Sequence, residues 1–314
     1  MAPQPWTVSQ IPDQYGRIAV VTGANTGLGF AAADGLAQCG AVVVLACRND
    51  QRATAAADRI RTKTPGALIH TLPLDLASLS SIRAGARRLR EDFTHIDLLV
   101  NNAGAIRRRH SVTADGFEST MAVNHLGPFA FTGLVLDLLT GTPGSRIVTV
   151  SSNAHRRATI DPGNLDPDRH GAYRFSTAYG RTKLANLLFT YELNRRLKAD
   201  RASTIAVAAH AGLSRTEGGR EMNWVIKRLS DPKINPIVLA FSQSAEMGAL
   251  ATLRAATDPL AGGGDYYGPT RRGGLIGNPE PVDSSQRSHN EELQRQLWEQ
   301  SERLTGVTYP LGAP

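Results

Sequence analysis

The sequence predicts an α/β protein: a doubly wound parallel sheet of about seven strands in a three-layer α/β/α sandwich. Three observations carry this prediction. Apolar, β-branched runs alternate with helical stretches along the first two-thirds of the chain, as βαβ units require. The runs are continuously apolar, which marks strands buried on both faces. A glycine-rich turn, "TGANTGLG" (22–29), follows the first run directly.

Residues 1–15 read as an N-terminal arm. "MAPQPWTVSQIPDQYG" lacks the charged-then-apolar layout of a signal peptide. Strands are expected at "RIAVVT" (17–22), "AVVVLAC" (41–47), "LIHTLPLDL" (68–76), "IDLLVNN" (96–102), "SRIVTVSS" (145–152) and "TIAVAAH" (204–210), with a shorter seventh at "DYYGP" (265–269). Helices are expected over 28–38, 51–62, 78–92, 117–140, 176–199 and 243–257. Two excursions, 153–175 and 213–242, interrupt the rhythm at strand C-terminal ends, where they cover a ligand crevice. A polar helix over 285–306 stops at Gly306. With no Ser/Gly linker, repeat or low-complexity segment, 1–314 reads as one domain.

Composition removes several classes. Of 314 residues, 41% are hydrophobic and 20% charged, a globular rather than a disordered profile. The longest apolar runs are too short to cross a bilayer. Cys39 and Cys47 make neither a disulfide framework nor a zinc motif, so a cytoplasmic setting is expected. The net charge of +7 comes almost wholly from arginine, in short clusters (107–109, 156–157, 271–272) without interleaved aromatics. Solvated arginines, some meeting an anionic cofactor, explain it better than nucleic-acid binding. His125, His155 and His210 have no ligand-like spacing and read as structural or surface residues; no metal is expected.

The glycine turn offers Gly23, Gly27 and Gly29 in a GxxxGxG spacing. It suits a tight turn, close approach of backbone to a pyrophosphate, and a helix N-terminus aimed at that anion. It is not a Walker loop, because the Gly-Lys-Ser/Thr ending is missing. At the end of the second strand an NAD-binding domain normally presents an acid to the ribose hydroxyls. Here Cys47 stands in that place and Arg48 follows it. A guanidinium suits a 2′-phosphate by charge and fork geometry, which favours NADP(H) over NAD(H); the alternative is a surface arginine capping a strand.

"YGRTK" (179–183) sets Tyr179 one helical turn before Lys183. Positions i and i+4 share a helix face, so the pair is either a surface contact or a phenol whose proton is influenced by a cation. At an effective dielectric of about 20, a cation some 5 Å away would lower the phenol by on the order of two pKa units. Three further pieces sit at strand ends or inside a helix: "NNAG" (101–104), polar Asn124 within apolar "MAVNHLG" (121–127), and "VTVSSNAH" (149–155) with Ser151 and Ser152. Singly each has a structural explanation: turn residues, a satisfied core asparagine, a helix cap.

With TGANTGLG, LDL (74–76), NNAG, the Asn124 segment, the serine strand and YGRTK in this order, the chain resembles the classical short-chain dehydrogenase/reductase family along essentially its whole length. "ACR", the long gap before "YGRTKLAN", and "YYGP" are similar to the retinol-dehydrogenase-like branch. The resemblance implies a Rossmann-like fold and an NADP(H)-dependent oxidoreductase moving hydride between nicotinamide and an alcohol or carbonyl. It implies that Tyr179 is the general acid or base, and that Lys183 holds the nicotinamide ribose and lowers the tyrosine pKa. Ser152 would hydrogen-bond the substrate oxygen, and Asn124 would anchor a water in a proton relay. Gly23, Asn25, Thr26, Gly27, Leu28 and Gly29 would form the pyrophosphate turn. Asp75 and Leu76 would border the adenine, with Asn102, Ala103 and Gly104 at the cofactor's centre. Gly212 and Thr216 would touch nicotinamide and pyrophosphate. The family commonly has Pro-Gly after the sixth strand, and Ala211 in the proline position suggests a more mobile loop. A homodimer or homotetramer is implied, with the helices 117–140 and 176–199 apolar enough to supply the interface.

Two other functions fit the fold: a non-catalytic NADP(H)-sensing binding protein, and a C=C reductase resembling protochlorophyllide reductase. The intact Asn124, Ser152, Tyr179 and Lys183 set weighs against a sensor. Within the second excursion, Met222, Val225, Ile226 and Leu229 recur at helical spacing. They suggest either a substrate lid with an apolar face, favouring lipophilic substrates, or a stripe packed on the core or a neighbouring subunit.

Overall fold

The computed structural model describes residues 5–169, 171–214 and 242–312. Its strands are β1 (Ile18–Thr22), β2 (Val42–Cys47), β3 (Ile69–Pro73), β4 (Leu98–Asn101), β5 (Arg146–Val150), β6 (Ile205–Ala209), β7 (Tyr266–Arg271) and β8 (Ile276–Pro281). They lie in the order β3-β2-β1-β4-β5-β6-β7-β8. Every pair is parallel except β7 with β8. The sheet grows outward from β1 in one direction and then from β4 in the other. The switch point between β1 and β4 is where such sheets open a ligand crevice.

The eighth strand was not expected. Its sequence, IGNPEP, has two prolines and no apolar run, and proline is tolerated only where no ladder N–H is required. An edge strand closing a hairpin meets that condition.

The helices are α1 (Gly27–Gln38), α2 (Asp50–Lys63), α3 (Leu79–Asp92), α4 (Ser119–Met121), α5 (Gly127–Leu134), α6 (Leu136–Thr140), α7 (Phe175–Ala199), α8 (Ala245–Thr257) and α9 (Glu291–Thr305). The pleat sends alternate residues to opposite faces. Ala19 and Val21 of β1 and Val43 and Leu45 of β2 meet Phe30, Leu36, Ile60 and Leu253 of α1, α2 and α8. Ile18, Val20 and Val44 meet Ile82, Leu89, Phe129, Phe189 and Trp298 of α3, α5, α7 and α9. The three-layer sandwich follows directly from central strands buried on both sides.

Two expected helices differ in detail. The 117–140 stretch is broken into α4, a π-helical turn at Ala122–Leu126, α5 and α6. The Gly127 N–H reaches back to the Ala122 carbonyl, and Pro128 supplies no N–H to the Asn124 carbonyl four residues earlier. The C-terminal helix begins at Glu291, after a 3-10 turn at Gln286–His289. Asn290 caps it by accepting from the Leu293 N–H at 2.9 Å, and Gly306 ends it in the left-handed conformation at φ 61°. Finally, the apolar residues of α7 (Leu184, Leu187, Leu188, Phe189 and Leu193) are buried within this chain. Among the described residues, no helix is long and apolar enough to cross a membrane.

Candidate active site

The glycine turn connects β1 to α1 and packs against the end of β4. Gly23 adopts φ +67°, and a Cβ there would lie 2.9 Å from the Ala103 Cα. At Gly29 a Cβ would lie 2.3 Å from the Asn102 Nδ2 and 2.6 Å from the Gly23 carbonyl oxygen. This third glycine therefore answers to packing between helix and strand. Thr22 ties the pieces together: its Oγ1 accepts from the N–H groups of Asn102 (3.1 Å) and Ala103 (3.0 Å), while the Asn102 amide donates to the Thr22 carbonyl at 2.9 Å. Thr26, at the N-cap of α1, makes no side-chain cap, and the first turn contains no acid. The positive end of α1 is thus left for an anion.

A cleft of about 360 Å³ opens above this turn. Gly23, Asn25, Thr26, Gly27, Leu28 and Gly29 form its floor, Asp75 and Leu76 one wall, and Asn102, Ala103 and Gly104 another. Arg48 stands on the rim. Cys47 is buried there, its thiol pushed up to about 11 by burial and held against the N–H groups of Ala24 and Asn25. Among the described residues the Arg48 side chain is exposed and makes no ion pair. Arg52, four residues on, shares the rim in the same condition. Sequence reasoning missed Arg52. The available signal was a second arginine in the first turn of a helix, where an acid is the favourable choice.

The second cluster is built from β5, the π turn and α7. Ser151 is buried and donates to the Lys183 carbonyl at 2.8 Å, so its hydroxyl serves the fold. Ser152 is half-buried and its hydroxyl lies near enough to Tyr179 to lower the phenol's pKa. The Lys183 Nζ lies 5.5 Å from the centre of the Tyr179 ring and donates to the Val150 carbonyl at 2.9 Å. An ammonium carries three donors, and the protein takes one. Asn124 is fully buried. Its Oδ1 accepts from the Ala105 N–H at 2.7 Å, and its Nδ2 donates to the Ala105 carbonyl (2.9 Å) and to Thr182 Oγ1 (3.0 Å). The Asn124 side chain is thus occupied, and Pro128 gives its backbone carbonyl no donor four residues on.

The electrostatics depart from expectation. Burial raises the Tyr179 phenol above its ordinary value, against a hydrogen bond from Ser152 that lowers it. Burial also lowers Lys183 to about 8. The lysine was expected to bring the phenol down. Both groups are instead dominated by loss of water, and the ammonium is turned to the Val150 carbonyl.

The described start of the loop after β6 is held by several contacts. The Ala211 carbonyl accepts from Ser214 Oγ at 2.6 Å and from Gln243 Nε2 at 2.9 Å. The Leu213 N–H donates to the Leu275 carbonyl at 2.8 Å. Gly212, at φ +60°, passes so close to the β7–β8 hairpin that a Cβ would lie 2.3 Å from the Leu275 oxygen. Bonds from Ser214 and Gln243, and one bond from Leu213 to the hairpin, hold this segment without a proline. Thr216 and the apolar stripe at 222–229 lie outside the described residues.

All three singled-out histidines are buried. Burial holds His125 and His210 neutral, each near 3. His125 Nε2 donates to Ser301 Oγ at 2.9 Å, joining the π turn to α9.

The model of the short chain dehydrogenase family matches residues 17–162. Human retinol dehydrogenase 13 is 38% identical over 94% of this chain and 86% of its own length. Human polyprenol dehydrogenase is 33% identical over 94% and 87%. A crystal structure of an uncharacterized protein from Mycobacterium paratuberculosis superposes with a TM-score of 0.80 at 37% identity, covering 98% of this chain and all of that one. The chain belongs to the short-chain dehydrogenase/reductase family and is retinol-dehydrogenase-like. Members are oxidoreductases that transfer hydride between a nicotinamide cofactor and an alcohol or carbonyl.

Proposed function

We propose that this protein is an NADP(H)-dependent oxidoreductase for a lipophilic alcohol or carbonyl compound. The observation that carries this reading is the juxtaposition of two sites at the carboxyl ends of the strands. One is an uncapped helix N-terminus below a cleft rimmed by two arginines that make no ion pair among the described residues. The other is a tyrosine beside a serine and backed by a buried lysine.

The residues fit a dinucleotide. The N–H groups opening α1 would hold the pyrophosphate, Asp75 and Leu76 would flank the adenine end, and Arg48 and Arg52 would meet a 2′-phosphate. The remaining donors of Lys183 would hold the nicotinamide ribose. The bound nicotinamide supplies the hydride. In carbonyl reduction Ser152 and Tyr179 hold the substrate oxygen between two hydroxyls, and Tyr179 gives its proton as negative charge develops there. A raised phenol pKa keeps that proton available at neutral pH. Lys183 sits behind the ring as a cation that stabilises the resulting phenolate, and a water on the Asn124 carbonyl would return the proton. In alcohol oxidation the same groups run in reverse.

The lipophilic preference is supported by relatives named for retinol and polyprenol, both long apolar alcohols. A panel of retinal, decanal, acetophenone, a ketose and a 2-cyclohexenone, read by NADPH oxidation, tests the proposal. Preference for the first three over the ketose is expected. Turnover of the enone at C=C alone would replace this reading with the reductase alternative, and cofactor binding without any turnover would favour the sensor.

A further inference from the structure

We infer that His155 is a positioning residue for Ser152, setting the serine hydroxyl against Tyr179 through a backbone contact anchored to the C-terminal segment. The inference rests on the oxidoreductase reading of the Ser152–Tyr179 pair. His155 is fully buried one 3-10 turn beyond the serine. Its Nδ1 donates to the Ser152 carbonyl at 2.6 Å, and its Nε2 accepts from the Ser285 N–H at 3.1 Å. Both ring nitrogens are therefore committed, and the two partners require one neutral tautomer, with the proton on Nδ1. Burial keeps the ring neutral by lowering its pKa. The ring edge also meets Tyr266, centroids 5.7 Å apart and nearly perpendicular.

The geometry matters because Ser152 has little else to fix it. It lies two residues past the end of β5 as the N-cap of the turn Asn153–Arg157, and among the described residues its hydroxyl accepts a long bond from the Ala154 N–H at 3.3 Å. Ser151 beside it is pinned to α7 through the Lys183 carbonyl. The peptide carrying Ser152 is held on its carbonyl side by the His155 backbone N–H (3.0 Å) and by the ring. The ring in turn leans on residue 285, far along the chain. Rotation of that peptide would swing the serine hydroxyl away from the tyrosine without disturbing the glycine turn or its cleft.

Two replacements separate the ring's two bonds. An asparagine amide can occupy the position of Nδ1 and keep the donor to Ser152, whereas a glutamine carbonyl reaches the position of Nε2 and keeps only the bond from Ser285. For NADPH oxidation with the best carbonyl substrate in the panel, H155Q is expected to lower kcat about 10- to 100-fold. Its KM for NADPH and its binding of 2′,5′-ADP by calorimetry should stay within about threefold. H155N should retain most of wild-type kcat. In an S152A background H155Q should cost nothing further, because both act through one hydroxyl. A crystal structure of H155Q should show the Ser152 hydroxyl displaced from Tyr179, a readout that needs no turnover. If H155Q does not fold, S285P, which removes the supporting N–H, is expected to lower kcat in the same direction. Equal losses in H155N and H155Q, additivity with S152A, an unmoved serine in H155Q, or unchanged kcat in S285P would each overturn the inference. Failure of the wild-type protein to reduce any carbonyl would instead count against the oxidoreductase reading.

Discussion

The two halves of the sheet build their sites by opposite means. On the β1–β4 side the cleft is made of backbone: glycines with no room for a side chain, a bare helix end and a threonine bridging adjacent strands. Most of its parts lie within a few residues of a strand end. On the β5–β8 side the site is made of side chains gathered from afar, including α7, the π turn, a hairpin and residue 285. A backbone cradle resists substitution because each change displaces main chain. A gathered cluster tolerates substitution in its fold and loses chemistry instead.

The sharpest test of that contrast is Tyr179→Phe. The ring keeps its packing but has no proton to transfer, so turnover should fall by about 10²- to 10⁴-fold while NADPH affinity stays within a few-fold. Stopped-flow turnover beside a binding titration measures both, and retention of turnover would remove Tyr179 from its role. Next in size, Arg48→Asp should move the NADPH/NADH ratio of kcat/KM toward NADH by about ten- to a hundredfold. That is the effect of losing a charge-assisted partner of roughly 1.5–3 kcal/mol. An unchanged ratio would leave Arg48 as a solvated strand cap.

Gly29→Ala probes the cradle itself. The added Cβ would lie 2.6 Å from a backbone oxygen, and such overpacking costs about 1–3 kcal/mol, set against a gain of up to about 1 kcal/mol in helix propensity. The urea midpoint should drop at constant m-value, and an undisturbed midpoint would mean the turn is looser than its contacts indicate.

The last effect concerns acid and leaves stability at neutral pH unchanged. His125 and His210 sit near 3 in the folded protein against an ordinary 6.5, so the unfolded chain binds the extra protons. Their contribution is complete above pH 6.5 and declines as pH falls toward 3, by about 1.4 kcal/mol per pH unit for each ring. H125Q should flatten the slope of unfolding free energy between pH 6 and 4 by one ring's share. An identical slope would show that His125 protonates without unfolding.

The same contrast explains what was legible in the sequence. β1, β2, β4 and β5 read directly because continuous apolar runs have few other interpretations, and every described residue assigned to the cofactor by motif lies at the cleft except Gly212 and the Tyr179–Lys183 pair. β8 escaped because an edge strand needs no apolar pattern. The break in 117–140 had a visible cause in Gly127-Pro128, but its form, a π-helical turn at Ala122–Leu126, depends on helical register. His155 escaped for a different reason: nothing near it in sequence announces Ser285. The direction of the Tyr179 and Lys183 shifts also required the structure, since spacing gives separation and not dehydration.

The aromatic knot on the α5 face has a consequence for how this chain is made. Phe129 packs against Phe189, Trp298 and Tyr309, and the Tyr309 hydroxyl donates to the Phe129 carbonyl at 2.6 Å across 180 residues. At about 5–20 residues per second on the ribosome, roughly 10–40 s pass between synthesis of the first ring and the last. Throughout that interval α3, α5 and α7 can cover the sheet, but Phe129 and Phe189 lack the rings of Trp298 and Tyr309. An apolar patch on this flank therefore stays open until the last residues are made, and dependence on chaperones during translation should be concentrated there.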